Sequence, residues 1–350
     1  MVNFRKNIQK MQGYVPGEQP PSGAQVIKLN TNENPYPPSP EVMRLLLTFE
    51  ADWLRRYPQP DAMLVREAAA EVYGVPVDCI MAANGSDEML AILARAFLDS
   101  GSKVAYPAPT YSLYTNLAEM QDADVVEIPY NEDYDLPVQE LLEVQANLTF
   151  VCSPNNPSGT LAANSDLEQL AAGLQGVLVI DEAYCDFAEQ NALELVLRHE
   201  NVIVLRTLSK GYSLAGLRLG LGIAAPELLA GLAKIKDSYN VDAFALRLGA
   251  AALRDQAWMR AQATEIKLGR EELATALTNL GCKVWPSQAN FLMITPPNSD
   301  AGSLYRHLRE HGIIVRYWDE PRLVDKMRIT VGSEDENQVL LTELKELLRS

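Results

Sequence analysis

The 350-residue sequence predicts an α/β fold: a large domain built on a mostly parallel sheet flanked by helices, a smaller α+β domain after it, and an extended arm before it. Three observations carry this. Seven short apolar runs recur in the first two-thirds of the chain: "CIMAAN", "KVAYPA", "DVVEIP", "LTFVCSP", "VLVIDEAY", "VIVLRTLSK" and "LGLGIAA". Most are separated by stretches of helical periodicity. Strands that alternate with helices need crossover connections, which give a mainly parallel sheet covered on both faces. Finally, the chain is longer than one hydrophobic core usually serves, so a second unit is expected.

Residues 1–40 are rich in Pro, Asn and Gly ("PGEQPPSGAQ", then "LNTNENPYPPSP"). They read as an extended arm rather than a helix, because prolines remove donors and bias their neighbours to extended backbone. Ser39 reads as an N-cap with Pro40 in the first helical position. Residues 41–241 hold the seven runs and form the large domain. Within them "SDLEQLAAGL" reads as a helix opened by a capping box from Ser165 to Glu168. From about Asp242 the pattern changes. Long helical stretches precede the strand-like pieces "ANFLMIT", "GIIVR" and "MRITVG" and a last helix, so 242–350 form the smaller domain.

The formal net charge of −16 disfavours a nucleic-acid surface, which needs clustered Lys and Arg, but leaves room for a small basic pocket. Cys79, Cys152, Cys185 and Cys282 lie far apart and fit free thiols in a reducing compartment. The first twenty residues carry no apolar h-region. The longest apolar stretch, Leu214 to Ala233, is interrupted by Arg218, Pro226 and Glu227. A soluble cytoplasmic protein is the expectation.

Open α/β sheets bind ligands at the carboxyl ends of their strands. Asn84-Gly85-Ser86-Asp87 follows "CIMAA" and opens a helix. It is either an anion site with free N–H groups or an ordinary capped helix. Asn156-Pro157 follows "LTFVCSP", where a turn alone accounts for it. Asp181-Glu182-Ala183-Tyr184 follows "VLVI". An acidic residue there needs a partner, either a structural cation or the protonated ring nitrogen of a cofactor. Lys210 follows "VIVLRTLS" and is either solvated or a Schiff-base amine. Taken together they supply what pyridoxal 5′-phosphate needs. Lys210 would meet its carbonyl and Asp181 its pyridinium nitrogen. Asn156 and Tyr184 would donate to its phenolic oxygen, and the Gly85 helix start with Ser209 and Arg218 would cradle its phosphate. Gly211 and Gly216 would let the backbone turn tightly between Lys210 and Arg218.

The ordered set "NGSDE", "PTYSLY", "CSPNNPSGT", "VIDEAY", "RTLSKGYSLAGLRLG" and "MRIT" resembles the fold-type I pyridoxal-phosphate-dependent aminotransferases. Within them it resembles the histidinol-phosphate aminotransferase branch. Aromatic amino acid aminotransferases and a phosphothreonine decarboxylase share much of the pattern. The resemblance spans nearly the whole chain and implies an aspartate aminotransferase-like large domain with a seven-stranded sheet.

It further implies a role for each matching residue. Lys210 is the Schiff-base lysine and the acid/base. Asp181 pairs with the ring nitrogen, Asn156 and Tyr184 with the phenolic oxygen, and Tyr111 stacks on the ring. Gly85, Ser86, Asp87, Ser209 and Arg218 hold the phosphate, with Thr207 nearby. Tyr57 reaches the phosphate from a neighbouring subunit, which implies a homodimer with shared sites. The arm packs on the small domain and on that subunit. Arg328 and Arg316 take the substrate's acidic groups, and Tyr14 borders the partner's substrate pocket. The implied reaction moves the amino group of L-histidinol phosphate to 2-oxoglutarate, giving imidazole-acetol phosphate and glutamate, in histidine biosynthesis. The alternatives are an aromatic amino acid as donor, or a lyase or decarboxylase of the same fold.

"HLREH" (His307 to His311) fits a zinc-peptidase spacing, but histidines are expected at a helix C-terminus. The remaining histidine, His199, is distant in sequence and no third ligand is evident, so no metal is expected.

Overall fold

Each of the seven apolar runs becomes a strand, and all seven share one sheet. This computed structural model describes residues 2–21, 23–297 and 300–348. A short strand in the arm, β1 (Ile27–Lys28), precedes the seven: β2 (Ile80–Ala83), β3 (Lys103–Ala108), β4 (Asp124–Pro129), β5 (Leu148–Cys152), β6 (Val177–Asp181), β7 (Val202–Thr207) and β8 (Gly220–Ala224). Their order is β2-β8-β7-β6-β5-β3-β4. Only β8 runs against its neighbours. The segment 208–219 between β7 and β8 holds a single short turn at Ala215–Leu217 rather than a crossover helix, so the chain returns antiparallel.

The central strands are buried at every position, because side chains of both parities meet a helical layer. Leu178, Ile180, Val202 and Val204 enter one core, and Val179, Ile203 and Leu205 enter the other. The edge strand β4 has no fully buried position.

After the helices Ala243–Arg254 and Gln256–Asn279 come β9 (Lys283–Val284), β10 (Phe291–Thr295), β11 (Ile313–Ile314), β12 (Arg316–Tyr317) and β13 (Met327–Thr330). β12, β13, β10 and β9 form an antiparallel sheet in that order, and β11 pairs in parallel with β1 of the arm. The last helix, Glu334–Leu347, starts with a reciprocal capping box between Ser333 and Glu336. No helix among the described residues is long and apolar enough to cross a membrane.

Three local expectations fail. The arm is not extended throughout: Lys6–Lys10 is helical, and Arg5 and Asn7 donate to the carbonyls of Glu119 and Met120 at the end of the helix Leu113–Met120. That helix end has orphan acceptors, and the arm supplies donors. The capping box at Ser165 is absent. The helix begins one residue earlier, at Asn164, and Glu168 is drawn away to Arg198 (2.6 Å) and His199 (2.6 Å). Ser39, by contrast, accepts from the Val42 N–H as an N-cap should.

The third concerns the glycines after Lys210. Positive φ falls on Ser213 (59°) and Arg218 (56°), not on Gly211 or Gly216. Gly211 is needed for a different reason: a Cβ there would lie 2.3 Å from Asp186 Oδ2. Gly220 is the stiffer case, because it meets backbone rather than a side chain. At the start of β8, its Cβ would lie 2.4 Å from both the Gly85 carbonyl carbon and the Ser86 nitrogen, so the strand and the helix start touch backbone to backbone. Gly220→Ala must push the helix Gly85–Phe97 outward. A loss of about 1–3 kcal/mol in unfolding free energy is expected, read from the denaturant midpoint. An unchanged midpoint would mean that the helix start retreats freely.

Candidate active site

The ends of β5, β6 and β7 open into a cavity of about 1180 Å³. Lys210, Asp181, Asn156, Tyr184 and Tyr111 all line it, as do Ser86, Asp87, Ser209 and Arg218 at one end and Tyr14, Arg316 and Arg328 at the other. Residues from seven separate stretches of sequence therefore share one hollow at the carboxyl edge of the sheet, where strand topology places ligands.

The two acidic residues at the end of β6 take opposite fates. Glu182 is buried and pairs with Arg206 of β7 at 2.7 Å; its other oxygen accepts from the Ala192 N–H. Asp181, one residue earlier, faces the cavity. It accepts from the Tyr114 hydroxyl (2.8 Å) and the Ala183 N–H (3.2 Å), and among the described residues no Lys, Arg or His pairs with it. Burial pushes its carboxyl up to about 6, against the pull of the Tyr114 bond. A buried carboxylate without a counter-charge is costly unless a ligand brings one.

Lys210 stands near the start of the loop after β7, with its amine donating to the Thr31 carbonyl (3.0 Å). Burial, then the nearby Arg328 guanidinium, brings that amine down to about 8. An amine that is about half neutral near pH 8 is a competent nucleophile.

The anion end is built on the helix Gly85–Phe97. Asn84, its N-cap, makes no side-chain capping bond, so the first-turn amides stay free. Gly85 has φ +73°, and a Cβ there would lie 2.7 Å from Arg218 Nη2, so the glycine makes room for the guanidinium. Arg218 contacts Asp87 (3.1 Å) and Ser209 Oγ (3.5 Å), and Thr207 Oγ1 donates to Ser209 Oγ (2.9 Å).

At the other end Arg328 donates to the Asn30 carbonyl (2.7 Å) and to Asn156 Oδ1, which turns the Asn156 amide nitrogen toward the cavity. Burial brings this guanidinium down to about 10, still charged at neutral pH. Arg316 lies over the Trp318 ring (5.2 Å) and makes no ion pair among the described residues. The Tyr111 hydroxyl donates to Asp87 (3.2 Å), and its ring meets Tyr14 edge-on at 6.1 Å. Tyr14 lines the cavity of its own chain.

Tyr57 does not join this cavity. It is 81 % exposed and stacks on Tyr239 at 4.5 Å. His307 and His311 stand at a helix C-terminus, with His311 on Glu343 (2.7 Å).

Sequence reasoning missed Tyr114, the donor to Asp181, and read "LNTNEN" only as arm. Four residues of that run bond to the site, Asn30 through Arg328, Thr31 through Lys210, Asn32 through Tyr184 (2.9 Å) and Asn34 through the Lys210 carbonyl (3.1 Å), and Glu33 lines the cavity. Asparagines at every second position were the available signal, since loop asparagines commonly bond to backbone or neighbours.

Residues 24–344 match the family profile of class I and II aminotransferases. The chain is 54% identical over 346 residues to histidinol-phosphate aminotransferase 1 of Trichormus variabilis, covering 99% of each chain. It is 43% identical over 348 residues to the histidinol-phosphate aminotransferase of Geotalea daltonii, covering 99% of this chain and 100% of that one. Among solved structures, histidinol-phosphate aminotransferase from Sinorhizobium meliloti, in complex with pyridoxal-5′-phosphate, shares the fold with a TM-score of 0.91 at 24% identity, covering 100% of this chain and 98% of that one.

The depressed Lys210 amine is directly measurable. In the ligand-free protein its acylation by an amine-selective reagent is expected to rise through pH 8, about two units below surface lysines. Peptide mapping after brief labelling checks this. Arg328→Ala should move the midpoint up, because it removes a repelling charge. A midpoint near that of ordinary lysines would contradict the electrostatic account.

Proposed function

The chain belongs to the class I and II aminotransferase family, and we propose that it transfers the amino group of L-histidinol phosphate to 2-oxoglutarate with pyridoxal 5′-phosphate as cofactor. The observation that carries the reading is Asp181, a buried carboxylate on the cavity wall without a protein cation. A protonated pyridine nitrogen is the counter-charge it lacks. The cradle fits too, with free amides at the Gly85 helix start and Arg218 seated where a Cβ on Gly85 would collide.

When bound, the cofactor supplies a carbonyl for amine exchange and a protonated ring that accepts electrons from the substrate carbon. The chain's residues do the rest. Lys210 would hold the carbonyl and would move the proton at the amine-bearing carbon. Asp181 keeps the ring nitrogen protonated. Asn156 and Tyr184 donate to the phenolic oxygen, and Tyr111 packs on the ring. Ser86, Asp87, Ser209 and Arg218 hold the phosphate at the Gly85 helix start.

Arg316 and Arg328 select the substrate. Histidinol phosphate has no carboxylate, so its phosphate meets these guanidiniums, and glutamate presents a carboxylate to the same fork. Arg316 is free of protein carboxylates and therefore available to a dianion. Tyr14 closes that end.

A cytoplasmic homodimer completes this reading. Tyr57 is exposed beside Leu54 and away from its own cavity, as a residue that serves a partner's phosphate should be. Sedimentation of the active protein as a monomer would remove the shared site.

The deciding experiment compares kcat/KM for histidinol phosphate and phenylalanine, with 2-oxoglutarate as acceptor. Histidinol phosphate is expected to win by at least about tenfold, the worth of one charge-assisted contact, and Arg316→Ala should erase most of the difference. A preference for phenylalanine would identify an aromatic aminotransferase. Loss of carbon dioxide from phosphothreonine without amino transfer would identify a decarboxylase.

A further inference from the structure

Asn32 is almost fully buried, at 1% exposure, and holds a left-handed backbone conformation with φ 56°. Its surroundings are specified on every side. Its N–H donates to Thr330 Oγ1 (3.0 Å), the Thr330 hydroxyl donates back to Asn32 Oδ1 (3.0 Å), and its carbonyl accepts from Asn290 (3.1 Å). What remains is the amide nitrogen, which donates to the Tyr184 hydroxyl oxygen at 2.9 Å.

The direction of that last bond matters. A tyrosine hydroxyl has one proton. If its oxygen accepts from Asn32, its proton is left to point elsewhere, and Tyr184 lines the cavity. If the Asn32 amide were flipped, Tyr184 would spend its proton on Asn32. The flip would also take from the buried Thr330 hydroxyl its bond to Asn32 Oδ1 and set the amide N–H against it, a change that costs free energy in a buried site. Thr330 therefore fixes the amide, and the amide fixes the hydroxyl.

We infer that Asn32, clamped by Thr330 of the small sheet, is a positioning residue that compels Tyr184 to donate its proton into the cavity. This rests on the functional reading above, in which that proton meets the phenolic oxygen of the cofactor. The relay runs from β13 through the arm to the residue three places after Asp181. It couples the small sheet to the electronic state of the ligand without touching the ligand. The charged and titratable groups facing Tyr184 are Arg328, Asp181, Cys152, Tyr111 and Lys210, the last 5.7 Å from its ring.

The test uses Tyr184→Phe, Asn32→Asp, the double variant, and Asn32→Gly, each loaded with pyridoxal phosphate. Aspartate keeps the shape and tolerates positive φ but turns the donor into an acceptor; glycine removes the amide without backbone strain. Two readouts are taken: the pH midpoint of the cofactor's visible band, and the Kd of the apoprotein for pyridoxal phosphate. A donor stabilises an oxygen anion, so losing it raises the midpoint. Tyr184→Phe and Asn32→Asp are each expected to raise it by about one unit and to weaken cofactor binding about tenfold.

The double variant should show no further shift. A shift caused merely by the added carboxylate would persist in the Tyr184→Phe background, and full additivity there overturns the inference. So does an unshifted midpoint in Asn32→Asp. Should that variant fail to fold, Asn32→Gly must raise the midpoint, and its failure to do so has the same force. A wild-type protein that shows no visible band sinks the functional reading and this inference with it. A normal wild-type band with unshifted variants sinks the inference alone.

Discussion

The ion pair between Glu182 and Arg206 sits behind the chemistry and holds it in place. Both side chains are almost fully out of water, and they join the ends of β6 and β7 at 2.7 Å. Removing either partner of a buried pair strands a charge and typically costs several kcal/mol, whereas the pair itself contributes modestly. Its larger effect is geometric. The Glu182 N–H donates to the Leu205 carbonyl (3.0 Å), so the two strand ends are tied by backbone and by charge. Asp181 and Lys210 each emerge next to this knot, and side-chain alternation sends Asp181 to the opposite face. One carboxylate is neutralised inside the protein so that its neighbour can remain unneutralised at the cavity.

The cavity is assembled by contacts between parts of the chain that share no secondary structure. β1 pairs with β11, Thr330 N–H donates to the Leu29 carbonyl (2.9 Å), and residues 30–34 then pass over the strand ends. That segment supplies carbonyls to Lys210 and Arg328 and amides to Tyr184 and the Lys210 backbone. It is irregular backbone whose polar groups are spent on functional side chains rather than on a ladder. The arm therefore works as a template, and the small sheet anchors the template.

Much of the fold was legible because hydrophobic periodicity is local. All seven strands of the large sheet appear where the apolar runs stand, and the residues after β2, β3, β5, β6 and β7 converge on one cavity, since parallel strands deliver their carboxyl ends to one edge. Local signals failed where a tertiary partner outbid them. Glu168 fits a capping box by spacing but is taken by Arg198 and His199. Gly211 and Gly216 look like turn residues, yet the positive φ values sit on Ser213 and Arg218. Lys6–Lys10 is helical in a segment whose composition argues for extension, because the arm docks on a helix end that needs donors.

By itself, the sequence determined the seven strands and the identity of the groups at their ends, because periodicity and strand-end chemistry are written in contiguous residues. It did not show what pairs with Glu182, what donates to Asp181, or what the asparagines of the arm do. Only the tertiary structure decided these. Each depends on which distant group a side chain faces: Arg206 for Glu182, Tyr114 for Asp181, and Thr330 with Tyr184 for Asn32. A hydrogen bond or ion pair is settled by a few ångströms in space, and no spacing along the chain encodes a partner roughly 300 residues away.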